Sequence, residues 1–153
     1  MDLNIVMVLQ DMVLAAIPAV GFALLFNVPK HSLGYCAMGG AIGHGLRFVL
    51  THEGMRIEWA TLIAATLVSF IGVYWARRLL AHPKVFTVAA IIPMIPGKPA
   101  FTAMLALFEI SRSGFSTDLQ ATLTTNFLQM SFIVAALALG LAMPGLIYRK
   151  PII

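Results

Sequence analysis

The stretch WATLIAATLVSFIGVYWARRLL, Trp59 to Leu80, carries no charged residue until Arg77. A helix that crosses a bilayer needs about 20 largely apolar residues, and this run supplies them. Trp59, Tyr74 and Trp75 stand near its ends, where amphipathic rings anchor at the headgroup level. The remainder of the 153-residue chain agrees with that reading. It is 60% hydrophobic and 10% charged, with a mean hydropathy of +0.93. A water-soluble domain carries about a quarter charged residues, and one this apolar would expose patches that soluble monomers avoid.

Working outward from that run, four further stretches approach spanning length: 3–27, 33–50, 85–108 and 119–148. The first contains Asp11 and stops at Pro29 and Lys30, a proline beyond a helix end being a stop signal. Its opening is acidic and its apolar run is long, so it reads as a retained first span and not a cleavable signal. The last closes with Tyr148, Arg149 and Lys150 at the expected water boundary. Loops are short, so the expectation is an all-α polytopic membrane protein of five transmembrane helices, residues 1–153 forming a single transmembrane domain. Five spans put Lys30, Arg77, Arg78, Lys84, Arg149 and Lys150 on one side and Arg47, Arg56 and Arg112 on the other. Basic residues favour the cytoplasm, which predicts a periplasmic N-terminus and a cytoplasmic C-terminus. A re-entrant fourth stretch would move the C-terminus across and weaken that bias.

The net charge of +4 is no sign of nucleic-acid binding, because the basic residues fall singly or in pairs between apolar runs. The single cysteine, Cys36, excludes an intrachain disulfide and a multi-cysteine metal cluster, and it reads as a small packed side chain. No phosphate-binding GxxxxGK[ST], HExxH or nucleophile motif occurs. The sequence therefore predicts a protein that is not an enzyme, needs no cofactor or metal, and draws no energy from ATP bound to this chain.

The sharpest local signal is IIPMIPGKPAF, Ile91 to Phe101. Proline lacks an amide proton and clashes with the carbonyl one turn earlier. Pro93, Pro96 and Pro99, together with Gly97, should therefore open the fourth helix near its midpoint. Irregular backbone at that depth persists only where protein buries it or a watery cavity meets it. The second half-helix is expected to begin at Pro99, with free amides, a positive dipole end and Lys98 beside them, a setting suited to a substrate carboxylate. Pro96, Gly97, Lys98, Pro99 and Thr102 are the substrate-binding candidates on this segment. The alternative is a kinked helix with Lys98 reaching to an interface.

Three ionisable residues lie inside apolar stretches, where such groups mark ion or substrate routes. They are Asp11, His44 and Arg47, read as proton-coupling candidates. His44 and Arg47 are three apart in GGAIGHGLR, Gly39 to Arg47, and share a helix face. Gly39 and Gly43 in the same segment permit close helix approach. The bland reading places these charged groups near the membrane surface. In the last stretch, Thr122, Thr124, Thr125, Asn126 and Gln129 form a polar run, of which Asn126 is the candidate for substrate contact.

These segments together resemble a known family. IPAVGFALLFNVP (Ile17–Pro29), GHGLR (Gly43–Arg47), HPKVFTVAAIIPMIPG (His82–Gly97), LTTNFL (Leu123–Leu128) and PGLIYRK (Pro144–Lys150) resemble the threonine/serine exporter family, most closely its short YjjB-type bacterial subunit. Lys98 and Pro99 depart from the small or apolar residues expected after the Pro-Gly pair. The resemblance implies an inner-membrane subunit that works with a larger YjjP-type membrane subunit in exporting succinate or a similar dicarboxylate. An odd number of spans is also what an inverted-repeat transporter requires of each half. The expected function is therefore proton-coupled secondary export of small carboxylates. The alternatives are a threonine/serine exporter subunit, a homo-oligomeric passive channel, and an assembly subunit without a pathway of its own.

Overall fold

A computed structural model describes residues 4–148. Arg149 and Lys150, expected at the water boundary, lie outside the described residues. Every regular element among the described residues is helical. The helices are α1 (Ile5–Leu25), α2 (Leu33–His52), α3 (Ile57–Leu79), α4 (Lys84–Ile91), α5 (Gly97–Ser113) and α6 (Thr117–Ile147). Short 3₁₀ turns cover Lys30–Ser32 and Ile92–Met94.

The helix ends follow from local chemistry. Asn4 caps α1, its side-chain oxygen accepting from the Val6 amide at 3.1 Å. The same helix stops in a Schellman turn, with Asn27 in the left-handed region at φ 53. There the Val28 and Asn27 amides donate to the Ala23 and Leu24 carbonyls at 2.9 and 3.0 Å. Gly54, at φ 88, ends α2 in the same way.

Three helices, α1, α3 and α6, are long and apolar enough to cross a membrane, and a fourth span results if α4 and α5 are taken together. The expected count of five is thus not reached on apolar length. The second stretch does form a 20-residue helix, but its glycines, His44, Arg47 and His52 dilute its hydropathy. A helix of this kind sits among other helices and not against lipid chains.

The chain divides into two compact units, residues 1–94 with 136–153, and residues 95–135. In the first, α2 is the central element and packs on α1, α3 and α4. Small residues make this possible. Ala15, Ala19 and Ala23 recur every fourth residue on α1 and are buried. A β-carbon placed on Gly40 would lie 2.6 Å from that of Ala19, so the two backbones touch there. Met12 of α1 fills the space over Gly45, while Val68 of α3 and Met94 fill the space over Gly43. Cys36 is buried as a packed side chain and donates its thiol to the Val85 carbonyl at 3.4 Å. Tyr35, Trp75 and Phe86 close one end of this unit edge to face. Trp75 is therefore turned inward, whereas Trp59 and Tyr74 are exposed as interfacial anchors would be.

The end of α6 joins the same unit, with Gly140 against Ala65 and the Ser69 hydroxyl donating to the Leu141 carbonyl at 3.1 Å. Ser69→Ala is expected to lower stability in detergent by about 0.5–1 kcal/mol, the range of interhelical bonds in membranes. The unfolding midpoint in a denaturing-detergent titration reads this directly, and an unmoved midpoint would show that the bond adds nothing. The second unit comprises α5 and the first part of α6. It contains an open groove of about 710 Å³ lined by Leu107, Ile110, Phe115, Gln120 and Thr124, among others.

Candidate functional site

Asp11 stands four residues before Ala15, so it continues the stripe of α1 that faces α2. His44 stands four residues after Gly40 and continues the matching stripe of α2. Where the backbones approach, the two side chains meet: His44 Nδ1 lies 2.7 Å from Asp11 Oδ2. Arg47, four residues after Gly43 and three after His44, extends the adjoining stripe of α2 toward the break that follows α4. Its Nη2 lies 2.7 Å from His44 Nε2. Its Nη1 donates to the Met94 carbonyl, also at 2.7 Å. Three ionisable groups and one backbone carbonyl thus form a single hydrogen-bonded chain.

The direction of each bond fixes the proton positions. A guanidinium only donates, so the Nη2–Nε2 contact requires an unprotonated Nε2. The ring proton then sits on Nδ1 and points at the Asp11 carboxylate. In this arrangement the cluster holds one negative and one positive charge around a neutral imidazole. The side chains of His44 and Asp11 retain 22% and 19% exposure, so the cluster is packed but still open to small species. Arg47 has five N–H donors and uses two of them on protein groups among the described residues.

The Met94 carbonyl is available because regular helix stops at Met94 and the Gly97 amide turns to the Ile95 carbonyl instead. Helix α4 ends at Ile91, passes through the Ile92–Met94 3₁₀ turn, and the chain re-enters helix only at Gly97. Pro93 lies in that turn and Pro96 caps the new helix. Neither can donate to a carbonyl, so carbonyls at the end of the first half need other partners. Arg47 supplies one, and a cation at a helix C-terminus is also favoured by the dipole. The side chain of Met94 is fully buried against Gly43, which fixes where its carbonyl points.

The second half-helix departs from expectation in its first turn. It begins at Gly97 and not at Pro99, which occupies the third helical position. The Gly97 amide is already engaged by the Ile95 carbonyl at 2.8 Å, Pro99 has no amide proton, and Ala100 donates to Pro96 at 3.1 Å. Fewer donors are free than a start at Pro99 would leave. Lys98 is exposed, and Thr102 is half-buried one turn further on. In the last helix the Asn126 amide donates to the Thr122 carbonyl at 2.8 Å, so one of its donors is spent within its own helix. Asp11, His44 and Arg47 are brought together. Lys98, Thr102 and Asn126 belong to the other unit. The role of the Met94 carbonyl was missed in the sequence, though its signal was there: a buried methionine framed by prolines and facing a glycine face.

What emerges is a multi-pass helical membrane protein that carries a hydrogen-bonded cluster of ionisable groups beside a helix break, and such groups at membrane depth mark ion or substrate routes. The profile of the family described as Threonine/Serine exporter, ThrE, matches residues 11–147. The chain belongs to that family and is a threonine/serine exporter-type membrane transporter protein. No solved structure matches the chain.

Proposed function

We propose that this chain is the small subunit of a secondary transporter that exports small carboxylates across a bacterial inner membrane, coupled to protons and completed by a larger membrane subunit. The observation that carries this reading is the bonded chain from Asp11 through His44 and Arg47 to the Met94 carbonyl. It links titratable groups to the one interrupted helix among the described residues. Ionisable groups at membrane depth are costly and are kept for ion or substrate routes.

The substrate class we favour is a dicarboxylate of the succinate type, with threonine and serine as the competitors; all of them carry a carboxylate. Five crossings remain our reading, because the 20 residues of α2 span about 30 Å at helical rise. The basic-residue count supports a periplasmic N-terminus. A partner is supported by the second unit, whose faces leave Phe101, Met104, Phe108, Phe127 and Phe132 exposed together with Thr124 and Thr125. Hydroxyls among exposed aromatics suit another protein better than lipid, and an inverted repeat shared between two chains would provide one.

Efflux of labelled succinate, threonine and serine from vesicles, with and without the larger subunit, tests the reading. Carboxylate efflux that requires both chains is the expected result. Rapid, unselective ion flow through this chain alone would replace the transporter by a channel. Lys98→Gln is expected to raise the half-saturating carboxylate concentration about tenfold, the scale of one charged hydrogen bond. Unchanged kinetics would remove Lys98 from the substrate path.

A further inference from the structure

We propose that Arg47 is the group that binds the substrate carboxylate, and that His44 admits the carboxylate only together with a proton. The inference rests on the carboxylate-transport reading above and gives it a site. Only a neutral His44 with its proton on Nδ1 can serve both neighbours, Asp11 on one side and Arg47 on the other. When a proton arrives at Nε2, the ring still donates to Asp11, but Nη2 of Arg47 faces a donor and must leave. Nη2 and Nε of the guanidinium are then free side by side, the fork that grips a carboxylate with two parallel bonds. Nη1 stays anchored on the Met94 carbonyl, so Arg47 pivots at the helix break and does not detach from it.

Charge gives the same answer. At rest the cluster sums to zero: Asp11 negative, His44 neutral, Arg47 positive. The added proton brings it to one net positive charge in a partly buried site, where an uncompensated charge is costly. One carboxylate returns the sum to zero. Proton and carboxylate therefore stabilise each other, and the coupling is reciprocal.

Among the described residues of helices α1 to α4, no other titratable group bonds to the cluster. Asp11 is the single ionisable residue of α1. In α2 the others are Tyr35, Cys36 and His52, in α3 Glu58, Tyr74, Arg77 and Arg78, and in α4 Lys84. None of these forms a hydrogen bond or ion pair with His44, and Glu58 is paired with Arg56 at 3.4 Å. The cycle needs no further reactant: one proton enters and leaves with one carboxylate group, so succinate travels as a monoanion and threonine with one net positive charge.

The test is binding of succinate and of L-threonine to the purified full-length chain together with its larger subunit, with threoninol as the carboxylate-free control. Calorimetry in buffers of different ionisation enthalpy counts the protons. The expected result is one proton taken up per substrate molecule, and affinity that strengthens by at most about tenfold for each unit by which the pH falls. Threoninol should show no such uptake. His44→Gln, whose amide can still bridge Asp11 and Arg47, should bind weakly at every pH and take up no proton. Arg47→Gln should lose carboxylate binding, and Arg47→Lys, which keeps the charge without the fork, should lose about tenfold. Affinity that is flat with pH, proton release on binding, or wild-type binding by Arg47→Lys overturns the proposal. In those cases intact carboxylate efflux from vesicles leaves the transporter reading standing, whereas no carboxylate efflux and no binding at any pH removes that reading itself.

Discussion

Gly40→Ala is expected to destabilise the protein by about 1–3 kcal/mol, the range for overpacking a well-filled interior, even though alanine is the better helix former. The new β-carbon would stand 2.6 Å from the Ala19 β-carbon and 3.3 Å from the Ala15 carbonyl oxygen. Neither neighbour is the end of a flexible side chain, so the helices themselves must separate. Separation at Gly40 also parts Asp11 from His44, one turn further along the same contact, so transport should fall with stability. Gly21→Ala is the matched comparison. Nothing lies within 4 Å of a β-carbon placed there, and the change should raise stability by about 0.5–1 kcal/mol through propensity alone. Melting midpoints of both variants in the same detergent settle the matter. Equal midpoints would mean that the α1–α2 contact is not a packing constraint.

Much of this arrangement was readable in the sequence, and the reasons differ from element to element. The span at Trp59–Leu80 was legible because apolar length is a one-dimensional property. The break at Pro93–Pro99 was legible because each proline removes a donor wherever it sits. Placing its exact restart was harder: the new helix begins at Gly97, two residues before Pro99, a local choice that no spacing rule encodes. The second stretch was legible as a helix, but its hydropathy, diluted by its glycines, His44, Arg47 and His52, does not by itself mark a crossing. That Asp11, His44 and Arg47 lie inside apolar stretches could be read directly; that they touch could not, because register between two helices depends on three-dimensional fit. Yet the register had a trace. Asp11, Ala15, Ala19 and Ala23 on one helix, and Cys36, Gly40 and His44 on the other, keep four-residue spacing, and two small-residue stripes that pack antiparallel bring their polar ends together. Trp75 went the other way, pulled from the interface by Tyr35 and Phe86.

The largest functional effect is expected at Asp11, and two substitutions there separate structure from coupling. Asp11→Ala leaves the His44 Nδ1 proton without an acceptor and the Arg47 charge without a counterion. Removing one partner from a fully buried ionic cluster costs about 3–5 kcal/mol; with His44 and Asp11 still 22% and 19% exposed the loss here should be smaller, and this variant should be destabilised and inactive. Asp11→Asn keeps an acceptor oxygen of the same shape in the same place, and the chain of bonds through His44 and Arg47 can persist. What it removes is the negative charge. A proton arriving at His44 would then make a cluster of two positive charges with nothing to offset either, and like charges at this distance disfavour the charged ring. Asp11→Asn is therefore expected to be destabilised less than Asp11→Ala, since it loses the counterion of Arg47 but keeps the hydrogen bond to His44, and to lose the response of carboxylate efflux to an imposed pH difference. Efflux measured with and without that gradient, beside melting in detergent, distinguishes the two variants. A folded Asp11→Asn protein whose efflux follows the gradient as the wild type does would show that the proton travels by another route and that Asp11 serves only to seat His44.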